Sequence, residues 1–249
     1  MAQASIPSVL RGVTVRCGGI PQGIFPNFMP GPDRNRLQED ELLDGNTYVR
    51  IMRGMSKTSL RDKILDAGLK VMFRKGYTGS GVRDIVAEAQ APQGSFTNHF
   101  RSKEIFAREV LDRYFEGTQD LVSAALDDKS LSARERLRRY LDIITARLAA
   151  DGFMRGCLIG DFSLEAIPHS EMLRERLVEI FAQWRAPFAA CIVQAQAAGE
   201  VAATFTADDL AEFLLASWEG AILRMKVERS VEPLERFKTI AFDTVFKEP

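Results

Sequence analysis

The residues best equipped for chemistry in this 249-residue chain lie in two short stretches. The first is Gln93-Gly94-Ser95-Phe96-Thr97-Asn98-His99-Phe100. Short amide and hydroxyl side chains can offer donors and acceptors to base edges in a DNA major groove without a bulky apolar group in the way. Phe96 and Phe100, four apart, would hold the opposite face on a core. The plain alternative is a solvated helix face on a domain that binds nothing. The second stretch surrounds Cys157, which stands at the expected start of a short helix with Arg155 two residues away. Unpaired N–H groups and the helix dipole there favour thiolate, which predicts a lowered pKa. Thiolate is the form that adds to electrophiles or is oxidised to sulfenic acid. The alternative is a small buried hydrophobe, the usual fate of a free cysteine.

Other chemistries find no support. The two histidines, His99 and His169, form no triad or metal-ligand spacing, and there is no GxSxG elbow or phosphate loop. An enzyme is therefore the disfavoured class, and neither cofactor nor metal is expected. Cys17, Cys157 and Cys191 are too few and too scattered for a disulfide framework or a structural zinc, which points to a reduced, cytoplasmic compartment. Cys191, beside Ala190 and Ile192, reads as core. Charges interrupt every apolar run well short of the roughly 18 to 20 residues that a membrane span needs.

The elements that must position these residues are helical, and the predicted fold class is all-α. Residues 1–55 hold 7 of the 18 Gly and 5 of the 10 Pro with no sustained period, and read as a disordered or non-native leader. Met55 precedes the polar helix-entry stretch Ser56-Lys57-Thr58-Ser59, so a natural start at Met55 or Met52 is expected. From Leu60, apolar residues recur at three- and four-residue steps through Ile64, Ala67, Val71 and Phe73, and Gly76 stops that helix. Short helices follow at about 82–89, capped by Ser80, and at about 92–100. Together they have the shape of a helix-turn-helix. Longer helices are expected at about 103–126, 133–150, 170–198, 207–229 and 232–246, with a short one at 157–165. Pro187 should kink the 170–198 run.

The net charge of −1 gives no sign of a wholesale nucleic-acid binder, but it averages unlike parts. Residues 56–115 carry 11 basic and 7 acidic residues, a net of +4, whereas residues 116–249 carry 16 and 22, a net of −6.

At this point the sequence resembles a known family. The stretch ILDAGLKVMFRKGYTGSGVRDIVAEAQAPQGSFTNHFRSKEIF, residues 64–106, is similar to the DNA-binding domain of the TetR/AcrR family of bacterial one-component regulators. Its elements are Gly76-Tyr77, Ser80 before Val82, Asp84-Ile85, Gly94-Ser95-Phe96, His99-Phe100 and Ser102-Lys103-Glu104. The resemblance implies that Ser80 caps the second helix and touches a phosphate. It also implies that the face from Gln93 and Gly94 through Ser95, Thr97 and Asn98 reads bases, and that His99 and Lys103 anchor to the DNA backbone. Gln93 replaces the family's usual Lys or Arg, and Thr97 its usual Tyr. The implied organisation is a DNA-binding domain over 56–103 and a sensing and dimerisation domain over 104–249, acting as a repressor on palindromic operator DNA.

A narrower likeness runs through RGCLIGDFSLE (155–165) and WEGAILRMKVERSVEPLERF (218–237), which resemble the NemR type of this family, regulators of detoxification genes that sense electrophiles and oxidants through a cysteine. It implies that Cys157 is the sensor and that Lys226 can bond to its oxidised sulfur. Relatives carrying the same motif bind small organic ligands, which is the other reading of the effector. Family analogy puts a homodimer interface on the last two helices, where Leu210, Phe213, Leu214, Ser217, Trp218, Ala221 and Ile222 form an apolar stripe. The alternative is an intramolecular core. Phe153, Met154, Phe162, Phe181, Trp184 and Phe188 are candidates for lining a ligand cavity, or are simply core.

Overall fold

The computed structural model describes residues 59–247, so the leader over 1–55, with Cys17, lies outside the described residues. Among the described residues nine α-helices follow one another: α1 Leu60–Gly79, α2 Val82–Glu88, α3 Ser95–His99, α4 Lys103–Leu126, α5 Ala133–Ala150, α6 Leu158–Glu165, α7 Glu171–Ala197, α8 Ala207–Glu228 and α9 Glu232–Thr244. A single 3-10 turn, Ile167–His169, joins α6 to α7. The described residues contain no strand, in keeping with the expected all-α class.

Most helix starts are written locally. Ser59, Ser102, Ser132, Ser170 and Thr206 each accept a bond from the backbone N–H three residues on, at the entries of α1, α4, α5, α7 and α8. Glu135 completes a capping box with Ser132. α2 departs from expectation. Its N-cap is Gly81, whose N–H donates to the Asp84 carboxylate over 3.2 Å. Ser80 is buried and its hydroxyl donates to the Gly76 carbonyl, so it is a brace of the α1–α2 turn rather than a cap. Gly76 breaks the helical torsions of α1 at φ 71° and ψ 179°, a region open essentially to glycine alone. The chain then makes one more turn to Gly79. Pro187 removes one backbone bond, yet α7 runs through it as one element.

The core of the N-terminal helices is aromatic. Phe96 and Phe100 of the α3 region pack on Phe106 of α4, with ring centroids 5.0 and 4.7 Å away. α4 then serves both ends of the described chain, packing on α1 and α6 and also on α5 and α7. Arg113 of α4 fixes the first of these contacts, reaching Asp62 at 2.7 Å and Asp66 at 2.6 Å on α1. α7, α8 and α9 pack in sequence against one another.

Candidate DNA-binding surface and cysteine cavity

α3 is short and two-faced. Phe96 and Phe100 turn inward and leave Gln93, Gly94, Thr97, Asn98 and His99 exposed on the other side. The turn before it is closed by Gln90 in the left-handed region, φ 52°. Thr97 donates its hydroxyl to the Gly94 carbonyl at 3.0 Å, which leaves its oxygen free to accept. Ser95 departs from the sequence expectation: it is buried with Phe96, because the first turn of so short a helix lies flat on the core. Ser80 is likewise only 2% exposed, so the phosphate contact implied for it has no exposed hydroxyl to make it. Lys103, in the first turn of α4, lies over the Tyr77 ring at 4.7 Å and donates to the Thr78 carbonyl at 3.4 Å. Its partial burial pulls its pKa down from the usual lysine range.

A second site opens between α6, α7 and α8. It is a cavity of about 620 Å³ whose walls include Cys157, Asp161, Leu164, Phe181, Leu215 and Lys226. The two residues implied as a sensor pair therefore share one chamber. Lys226 lies alongside Gly156, where an added Cβ would stand 3.3 Å from its Cδ, and its ammonium pairs with Asp161 at 3.0 and 3.1 Å. Cys157 is the N-cap of α6, as expected, but its thiol is not acidified. Burial, and after it the negative charge of Glu219, push its pKa well above the ordinary thiol value. These outweigh the bonds from the Gly160 backbone and the Tyr114 hydroxyl, the latter at 3.8 Å. The expectation of a lowered pKa is thus corrected: a helix N-terminus favours thiolate only where the group keeps water or a cation.

Glu219 was not visible from sequence, since it sits on the polar side of an apolar stripe. Burial first, and then the Asp161 charge, raise its pKa to about 7, against the pull of its hydrogen bond with Cys157. Its Oε1 has no hydrogen-bond partner, and Oε2 packs so closely on Gly160 that a Cβ there would come within 2.7 Å. Arg185 completes the polar rim, facing Asp208 and Glu212 at 3.5 and 3.6 Å.

Of the expected aromatic lining, only Phe181 faces this cavity. Phe162, Trp184 and Phe188 are core, with Phe188 edge-on to Tyr140 at 4.8 Å. Phe153 lies in the loop after α5 at φ 59°, half-buried. The α8 stripe is also divided. Leu210, Leu214, Trp218 and Ile222 are buried within the chain, Trp218 against Phe237 of α9 at 5.5 Å. Phe213 and Ser217 instead border an open groove of about 430 Å³ between α8 and α9, facing Ile240, with the buried Ala221 in its wall.

The far end of α6 meets the helix-turn-helix. Glu165 accepts from the Thr78 N–H and hydroxyl at 3.3 and 3.2 Å, and Phe162 stacks at a tilt on Tyr77 with centroids 5.7 Å apart.

Comparison with known proteins identifies this arrangement. A profile described as bacterial regulatory proteins, tetR family, matches residues 64–110, and one described as tetracyclin repressor-like, C-terminal domain, matches residues 133–241. The repressor DhaR of Mycobacterium sp. (strain GP1) is 44% identical over 191 residues, 77% of this chain and 94% of that protein. The chain belongs to the TetR family. It is accordingly a DNA-binding transcriptional regulator and not an enzyme, and α2 and α3 are the helix-turn-helix of a TetR fold. A crystal structure of a regulatory protein TetR from Rhodobacter sphaeroides, 35% identical, superposes with a TM-score of 0.70 over 73% of this chain and 97% of that one. Reduced NemR of Escherichia coli, 26% identical, gives 0.71 over 76% and 98%, so the narrower likeness also has a structural counterpart in this TetR protein.

Proposed function

We propose that this TetR-family member is a homodimeric repressor that leaves a palindromic operator when its cavity is occupied or when Cys157 is modified by an electrophile or oxidant. The observation that carries this reading is that Cys157 and Lys226 line one cavity on α6, whose other end bonds to the turn before α2 through Glu165. A change at Cys157 needs to alter the relative energies of two conformations by only a few kcal/mol to move the recognition helices out of register with DNA. Residues 56–103 act as the DNA-binding domain and 104–249 as the sensing and dimerisation domain. Gln93, Gly94, Thr97, Asn98, His99 and Lys103 form the DNA contact, and the α8–α9 groove at Phe213, Ser217 and Ala221 meets a second copy. The setting is the cytoplasm.

The test is a mobility-shift titration on DNA flanking the gene. Salt-sensitive, palindrome-dependent binding that hypochlorite, a quinone or methylglyoxal releases, and that Cys157→Ser retains but no longer releases, is the expected result. Replacing Lys226 with Arg tests a sulfur–nitrogen bond separately, since Arg keeps the charge but should not close it. The mainly apolar walls at Leu164, Phe181 and Leu215 favour a second reading, release by a non-covalent organic ligand. Full release of the Cys157→Ser protein would establish that reading over the first.

A further inference from the structure

A buried thiol with a raised pKa needs a base before it can react, and the cavity supplies one candidate. Glu219 reaches in from α8 beside Cys157, its Oε2 pressed on the Gly160 backbone one turn along α6 and its Oε1 buried without a partner. We propose that Glu219 is the general base of the sensor site, taking the Cys157 proton as the sulfur adds to a small uncharged electrophile such as an α,β-unsaturated carbonyl. The inference rests on the reading of Cys157 as the sensor.

The step balances without an oxidant. The S–H proton passes to the Glu219 carboxylate as the sulfur electron pair forms a C–S bond at the β-carbon. The C=C pair moves to the carbonyl oxygen as an enolate, and Glu219 returns the proton to the α-carbon. The thioether contains every atom of the two reactants. The groups around Glu219 are suited to this. Asp161 faces it from α6 with its charge already engaged by Lys226, Tyr114 of α4 donates to the sulfur, and Tyr140 of α5 is buried and held neutral. Arg185 of α7 and Glu212 of α8 stand together at the rim. Glu219 is thus a carboxylate of the cavity wall with a buried oxygen, Oε1, left unbonded, and with a pKa of about 7 it exchanges its proton near neutral pH.

The experiment is site-resolved mass spectrometry of Cys157 alkylation by methyl vinyl ketone, followed from pH 5.5 to 9.5 in the full chain. The expected wild-type rate rises through a step near pH 7, where Glu219 loses its proton. Glu219→Gln should remove that step and slow labelling at pH 7.5 by about a hundredfold, the lower end of general-base effects. A structural role predicts the opposite sign: removing a negative charge beside the thiol would lower its pKa and speed labelling, and that result overturns the proposal. Infrared detection of the Glu219 carboxyl in the wild type keeps the test independent of how the variant folds. A labelling step that coincides with loss of that C=O band supports the base, and a rate that rises only at alkaline pH refutes it. Operator release by Cys157→Ser is scored separately, so failure of the sensor reading is distinguishable from failure of the base.

Discussion

The Glu165 carboxylate, in the last turn of α6, lies directly on the backbone of Gly76 in the turn before α2, occupying the space where a side chain at position 76 would begin. A residue of the regulatory helices is thereby keyed into the DNA-binding helices. Gly76→Ala would both overlap that carboxylate and force a Cβ onto a backbone of φ 71° and ψ 179°. The expected cost is about 1–3 kcal/mol. It should lower Tm by several degrees in a thermal melt. An unchanged Tm would mean that the turn can relax.

Breaking the same contact from the other side should uncouple rather than destabilise. Glu165→Ala removes two bonds to Thr78 while leaving α3 untouched. Operator affinity without effector should stay within about threefold, and the effector concentration needed for half-release should rise. A mobility shift with and without effector reads both quantities. Unaltered release would exclude α6 as the link.

The pH dependence of stability should carry the signature of Glu219. Its folded pKa of about 7 lies above its ordinary value of 4.5, so the folded state holds the proton more tightly than the unfolded chain does. Its contribution is therefore most favourable below about pH 4.5 and is lost as pH rises towards 7, by roughly 3 kcal/mol in all. Urea unfolding of wild type and Glu219→Gln at pH 5 and pH 8 checks this. The variant should gain on the wild type at the higher pH, and a pH-independent difference would mean that Glu219 is solvated.

On the recognition helix, burial separates residues that composition groups together. Asn98→Ala and Gln93→Ala remove exposed polar groups and should weaken operator binding by about 1–3 kcal/mol each, with no change in Tm. Ser95 is buried beside Phe96, so Ser95→Asn should act first on folding, lowering Tm. Fluorescence anisotropy on operator DNA alongside thermal melts distinguishes the two behaviours.

The groove between α8 and α9 is testable as an interface. Phe213 and Ile240 are 45% and 56% exposed in the single chain, so an aspartate at either costs little to the fold. In a dimer it would bury an unpaired charge. Phe213→Asp or Ile240→Asp should halve the mass seen by analytical ultracentrifugation and weaken operator binding at least tenfold. A variant that stays dimeric would move the interface elsewhere.

The sequence by itself determined what short-range physics controls. Serine and threonine caps, the three- and four-residue apolar steps, and the Gly and Pro stops located the helices to within a few residues, because each depends on neighbours one turn away. The ordered motif around residues 64–106 carried the family for the same reason. Tertiary structure alone decided which side of a stripe faces inward. Leu214 and Trp218 went to the core while Phe213 and Ser217 went to the groove, since helical spacing defines a face but not its partner. It also reversed the chemistry expected of Cys157. A helix N-terminus is a local feature that favours thiolate, but the burial and the Glu219 carboxylate that dominate the thiol come from helices distant in sequence. Electrostatic environment is set by everything within a few ångströms, and only the folded chain assembles that neighbourhood.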